Sequence, residues 1–177
     1  EILKNSDHMY EIFKNSEYDE KFYEKGLNIL YPYKYKLEKL LEKLLILGSK
    51  WSFKTFPLYQ VILTKYGPGG SYSYDNDKGT VTLLTTKDGQ FKRSDPDQSI
   101  IHEIVHIGIE ESIVQKFKLS HWEKERLVDL LVSTVYKEDI SNYKMQDAGV
   151  ADLDNYINSV TILNLPLAIE KYVTEKK

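Results

Sequence analysis

Asp95-Pro96-Asp97-Gln98-Ser99-Ile100-Ile101-His102-Glu103-Ile104-Val105-His106-Ile107-Gly108-Ile109 is the stretch that decides how this chain is read. Asp95 suits the N-cap of a helix, Pro96 its first position, where an N–H would have no partner anyway, and Gln98 its third. The helix so opened carries Ile100, Ile101, Ile104, Val105, Ile107 and Ile109 around much of its circumference, the pattern of a buried central helix. Inside it, His102-Glu103-x-x-His106 places two imidazoles one turn apart on one face with a carboxylate beside them. Burying two histidines and a glutamate is costly unless they share a partner, and a metal ion supplies one. The spacing is that of a catalytic zinc site, in which Glu103 can hold a metal-activated water.

Strand signals lie upstream of this helix. Residues 59–64 and 80–86 are rich in β-branched and apolar side chains and are bounded by Gly, Pro, Asn and Asp. Residues 67–70 read as a loop and 75–79 as a turn, so 72–74 can pair with the strand from Thr80. Asp75, Asp77 and Gly79 lack the downstream bidentate Glu of a calcium loop, and a hairpin turn accounts for them. Farther upstream, apolar residues at 37, 40, 41, 44, 45 and 47 recur with helical period, with Gly48 as the stop. Ile2, Met9, Ile12, Phe13 and Phe22 sit loosely on a helix face, which suggests one or two short helices ahead of Gly26. Downstream, Ser120-His121-Trp122-Glu123 is a capping box that opens a helix running to about Lys137. A loop through Tyr143 and Gly149 follows, and short helices near 150–159 and 165–174 close the chain.

These elements predict an α+β fold over residues 1–177 as one domain: a helical N-terminal layer (1–50), a strand region (51–93), the zinc-site helices (94–137) and C-terminal helices (138–177). A small antiparallel or mixed sheet packs on the motif helix. With 177 residues and 41% hydrophobic content the chain can bury one good core and is short for two catalytic domains. Net charge of −3 offers no basic field for a phosphate backbone, which argues against a nucleic-acid partner. The chain has no Cys, so disulfides, thiolate ligands and a Cys nucleophile are excluded, and any metal site must be built from His and carboxylates. The longest apolar stretch, 37–47, is interrupted by Glu38, Lys39, Glu42 and Lys43, so no membrane span is expected. The numbering starts at Glu1 and not at Met, which leans towards an exported protein whose leader is removed.

A catalytic zinc takes three protein ligands and leaves a fourth position for water, so one more donor is needed. Glu110 and Glu111 lie about 12 Å along the helix from His102, too far to share its ion, and read as surface charges. Glu123 is used by the capping box, which leaves Glu125 as the carboxylate best free to face inwards. Asp129, one turn on, can accept a hydrogen bond from the outer nitrogen of a ligating imidazole. His121, one turn before Glu125, could hold an oxyanion, donate a proton or replace Glu125 as ligand. Tyr136 and Tyr143 are the other oxyanion candidates.

His102-Glu103-x-x-His106, a linker of 18 residues and Glu125-x-x-x-Asp129 together resemble the thermolysin-type gluzincins, a group of zincin metallopeptidases. The resemblance covers roughly residues 80–135. It implies a zincin-like domain with Zn2+ on His102, His106 and Glu125, Glu103 as general base, Asp129 behind a ligand, and a peptide or protein substrate. It also implies that an edge strand before the motif helix, here Val81, Thr82, Leu83 and Leu84, takes the substrate backbone by strand addition. The chain departs from the thermolysin-type pattern in two places and also lacks the metzincin signature. Lys124 stands where an Asn often precedes the ligand Glu, no downstream oxyanion His is evident, and the third His of metzincins is missing after Gly108. The function expected is zinc-dependent peptide hydrolysis, and the alternative is a non-catalytic zincin-like binding domain whose zinc is structural or absent.

Overall fold

Three short strands form a mixed sheet in the computed structural model of the chain, which describes residues 19–86, 88–91, 95–140, 142–146 and 150–176. Of the N-terminal helix face, Ile2, Met9, Ile12 and Phe13 lie outside the described residues, as does Gly149 of the loop. Strands β1 (Leu58–Thr64), β2 (Gly70–Tyr74) and β3 (Lys78–Leu84) stand in the order β1-β3-β2, with β1 parallel and β2 antiparallel to β3. The hairpin between β2 and β3 is closed by Asp75, whose Oδ1 accepts from the N–H groups of Asp77 and Lys78 at 3.1 and 3.0 Å.

This order corrects one expectation. Residues 80–86 contain most of β3, which is the central strand, hydrogen-bonded on both sides, and Val81 and Leu83 are core residues. Val81, Thr82, Leu83 and Leu84 therefore cannot accept a substrate strand. The edge strand packed beside the motif helix is β2. Composition marks which segments are strands; their order depends on how the parallel β1–β3 pair docks, which no local pattern records.

Helix α1 (Glu20–Leu30) begins at Asp19, whose carboxylate accepts from Lys21 N–H, and it runs straight through Gly26. The short helices expected ahead of Gly26 thus do not end before it; a Cβ there would lie 2.8 Å from Leu63 Cδ1, so the residue serves close packing of the helix on β1. A 3-10 turn (Tyr31–Tyr33) leads into α2 (Lys34–Gly48). Helix α3 (Pro96–Ile109) is buried at every position except Gln98, as its all-round apolar sequence requires. Asp97, in its first turn, is buried against Lys36 Nζ of α2 at 2.6 Å. The helix continues as a π-helical segment, Glu110–Gln115, which nothing in the sequence pattern announces.

Helix α4 (His121–Val135) opens with the capping box read from sequence: Ser120 Oγ accepts from Glu123 N–H, and the Glu123 carboxylate accepts from Ser120 N–H. Two 3-10 turns, Ala151–Asn155 and Thr161–Asn164, replace the short helix expected near 150–159, and α5 (Leu165–Glu175) ends the described chain. One continuous core joins Leu40 and Leu44 of α2, Val81 and Leu83 of β3, the apolar side of α3, Leu127, Val128 and Leu131 of α4, and Ile169 and Tyr172 of α5. The architecture is α+β, with helices at both ends of the described chain around a small mixed sheet. Among the described residues no helix is long and apolar enough to cross a membrane.

Candidate metal centre

Packing of α3 against α4 brings His102, His106 and Glu125 together; one donor atom from each lies within 4.8 Å of the other two. The separations are 3.1 Å between the two Nε2 atoms, 3.4 Å from His106 Nε2 to Glu125 Oε2, and 3.6 Å from His102 Nε2 to the same oxygen. Ligands about 2.0–2.1 Å from a tetrahedral zinc ion stand about 3.3–3.4 Å apart, so the three atoms match one face of that polyhedron. Two imidazole nitrogens and one carboxylate oxygen are also the donor chemistry of a catalytic zinc site. Glu110 and Glu111 are outside the group, as the axial distance requires. Arg126 pairs with Asp154 and Lys124 with Tyr72, so neither cation takes up Glu125.

The two imidazoles are oriented by different forces. His102 Nδ1 lies 2.7 Å from Tyr143 Oη, whose hydroxyl donates to Asp129 Oδ1 at 2.6 Å; that carboxylate oxygen is itself 3.3 Å from the ring nitrogen. Asp129 is fully buried and accepts from the Gln146 backbone N–H through its other oxygen. Gln146 also reaches forward, its Nε2 donating to Glu125 Oε2 at 3.3 Å. His106 has no hydrogen-bond partner at Nδ1 among the described residues and is held by stacking: the Tyr72 ring lies flat on it, with centroids 5.0 Å apart and planes 10° from parallel.

Glu103 is buried but lines the same cleft, against the first residue of β2. A Cβ on Gly70 would come within 2.4 Å of Glu103 Oε1, so the absence of a side chain there makes room for the carboxylate. The cleft has a volume of about 470 Å³ and lies between Gly69, Gly70 and Tyr72 on the sheet side and His121, Trp122 and Lys124 on α4. His121 is 63% exposed, and its Nδ1 is 3.8 Å from Glu125 Oε1, which puts it at the mouth and outside the ligand set.

Both tyrosines expected as oxyanion donors, Tyr143 and Tyr136, are misplaced for that role. Tyr143 contacts the outer nitrogen of His102, on the ring edge opposite Nε2, and therefore acts behind the ligand. Tyr136 is completely buried and donates to the Leu40 carbonyl at 2.8 Å. Tyr72, Gly70, Lys124 and Gln146 escape sequence reading. Only the glycine-rich run 67–70 hints at close backbone approach, and one tyrosine among 14 carries no signal.

The carboxylates decide the protonation of the centre. Burial works against a charge on His102, but Asp129 and Glu125 outweigh it and raise its pKa to about 9. At His106 burial prevails, reinforced by the nearby charges of His102 and Lys124, and the pKa falls. Burial likewise opposes the charge on Glu125, yet hydrogen bonds to His102 and His106 hold it well below the usual carboxylate range. Of these two acids, Glu125 faces the Nε2 atoms and would draw a divalent cation there, while Asp129 acts on His102 from the Nδ1 side. Comparison with protein-family models, curated proteins and solved structures gives no match.

Proposed function

We propose that this chain is a zinc-dependent peptidase with a gluzincin-type centre. The observation that supports the reading is the triangle of His102 Nε2, His106 Nε2 and Glu125 Oε2, with Glu103 outside the ligand set and facing the same cleft. Zinc held by these three residues supplies Lewis-acid polarisation of the scissile carbonyl and acidifies water. Glu103 is the general base: it accepts the water proton as the water oxygen bonds to the carbonyl carbon, and returns it to the nitrogen as the C–N bond breaks. Asp129 and Tyr143 keep His102 oriented, and Gln146 keeps Glu125 oriented. The outer edge of β2, unpaired among the described residues, offers backbone groups to an extended peptide beside the cleft.

The test is metal analysis paired with hydrolysis of a mixed peptide library by wild type, His102→Ala, Glu125→Ala and Glu103→Gln. Wild type should carry one zinc per chain and cleave peptides; the two ligand variants should lose the metal, and Glu103→Gln should keep it and lose cleavage. Activity retained in Glu103→Gln would refute the mechanism. Zinc-loaded wild type that cleaves nothing would transfer the case to a non-catalytic binding domain.

A further inference from the structure

The cleft contains a cation that the chemistry above leaves without a task. Lys124, on the first turn of α4 and adjacent to the ligand Glu125, donates from Nζ to Tyr72 Oη at 3.1 Å. Tyr72 in turn donates its hydroxyl proton to Glu110 Oε2 at 2.9 Å. Lys36, Lys43, Lys54 and Lys176 are each neutralised by a carboxylate, whereas Lys124 has no carboxylate within 4.0 Å among the described residues. Its position is set from two directions. The backbone of α4 carries it beside Glu125, and the Tyr72 ring that receives its hydrogen bond is stacked on the ligand His106.

We propose that Lys124 is the catalytic donor to the carbonyl oxygen as that oxygen becomes negative in the tetrahedral intermediate, with Tyr72 and Glu110 as its positioning residues. This rests on the peptidase reading. The direction of the hydrogen bonds selects the donor: the Tyr72 proton is committed to Glu110, so its oxygen is an acceptor facing Lys124 and cannot serve an oxyanion. Lys124 keeps two N–H bonds after reaching Tyr72. Tyr136 and Tyr143 are turned away from the cleft, and the solvent-exposed ring of His121 is a weaker donor than an ammonium fixed inside it. In this step Lys124 transfers no proton; it only strengthens its hydrogen bond as charge builds on the oxygen. The π-helical segment contributes Glu110 to this chain, which gives that irregular turn a purpose.

The test uses zinc-loaded wild type, Lys124→Met, Lys124→Arg and Tyr72→Phe, with zinc content measured for each. Methylphosphonate serves as a tetrahedral anionic probe, titrated calorimetrically, beside kcat and KM for any peptide cleaved by wild type. Lys124→Met should retain its zinc, bind methylphosphonate about tenfold more weakly and lose about 10²-fold in kcat with KM little changed. Lys124→Arg should recover part of both losses, and Tyr72→Phe, which keeps the stack on His106 but releases the ammonium, should fall between. Lys124→Met with zinc, phosphonate affinity and kcat all at wild-type values would overturn the assignment alone. Lys124-dependent phosphonate binding in a protein that cleaves nothing would support the placement of the cation and overturn the peptidase reading alone. Wild type that takes up no zinc would overturn both.

Discussion

Gly108→Ala separates what a helix prefers from what this fold allows. The residue lies inside α3, where replacing Gly by Ala should by propensity alone stabilise the helix by about 1 kcal/mol. In the folded protein a Cβ at this position would stand 2.0, 2.2 and 2.4 Å from Cζ, Cε2 and Cε1 of Phe53. Ordinary contact between carbons is about 3.5–4.0 Å, so the ring would have to retreat by about 1.5 Å. It has little freedom to do so. Phe53 is buried edge-on against Trp51, and the next residue is tied to the helix by Lys54 N–H donating to the Gly108 carbonyl at 2.9 Å. Overpacking of this kind costs about 1–3 kcal/mol, and full loss of a buried Phe about 3–5 kcal/mol. Against the propensity gain, a net destabilisation of about 2 kcal/mol is expected. Urea unfolding in the presence of a chelator measures it free of metal linkage. In the double variant with Phe53→Leu the two costs should add to less than their sum by about 1 kcal/mol. A Gly108→Ala protein as stable as wild type would refute the packing argument, because helix propensity would then have decided the outcome.

Gly70→Ala should keep zinc but reduce cleavage by about 10²-fold, since the methyl group must push Glu103 aside by nearly 1 Å; Gly69→Ala, whose Cβ meets nothing within 4 Å, should behave as wild type in the same kinetic assay. Asp129→Asn and Tyr143→Phe should each weaken zinc binding by about 10–100-fold in a chelator competition, because they orient His102 from behind; unchanged affinity in both would remove them from the site. Glu123 gives an acid limb to stability. Burial raises its pKa, but hydrogen bonds from Lys176, Tyr172 and Ser120 prevail and hold it at about 2. A depressed carboxylate stabilises the fold above its unfolded pKa near 4.5 and loses that contribution as pH falls towards 2, at most about 3 kcal/mol. The urea-midpoint gap between wild type and Glu123→Gln should therefore be widest above pH 5 and shrink on acidification; a gap independent of pH would contradict the linkage.

Much of this centre is legible in the chain because the relevant physics is local. A helix turns once every 3.6 residues, so His102 and His106 must share a face wherever the helix is placed. The capping box at Ser120 and Glu123 is equally local, and by assigning Glu123 it leaves Glu125 and Asp129 to face α3. The extent of α3 and its burial follow from Pro96 and the surrounding isoleucines. Reading failed where the deciding contact crosses between elements. Gly26 shows no packing role until Leu63 is placed against it, and Tyr143 looks like an oxyanion donor until it is found behind His102.

The sequence by itself determined the face that bears His102 and His106, the two helices of the candidate centre and the chemistry its donors would allow, since periodicity and capping act over a few residues. Tertiary structure alone decided that β2 and not the 80–86 strand forms the edge, that Gly70 clears space for Glu103, and that Tyr72 arrives to stack on His106 and hold Lys124. Those contacts join residues far apart in the chain through the docking of a sheet on a helix, and side-chain packing at that junction has no counterpart in local sequence pattern.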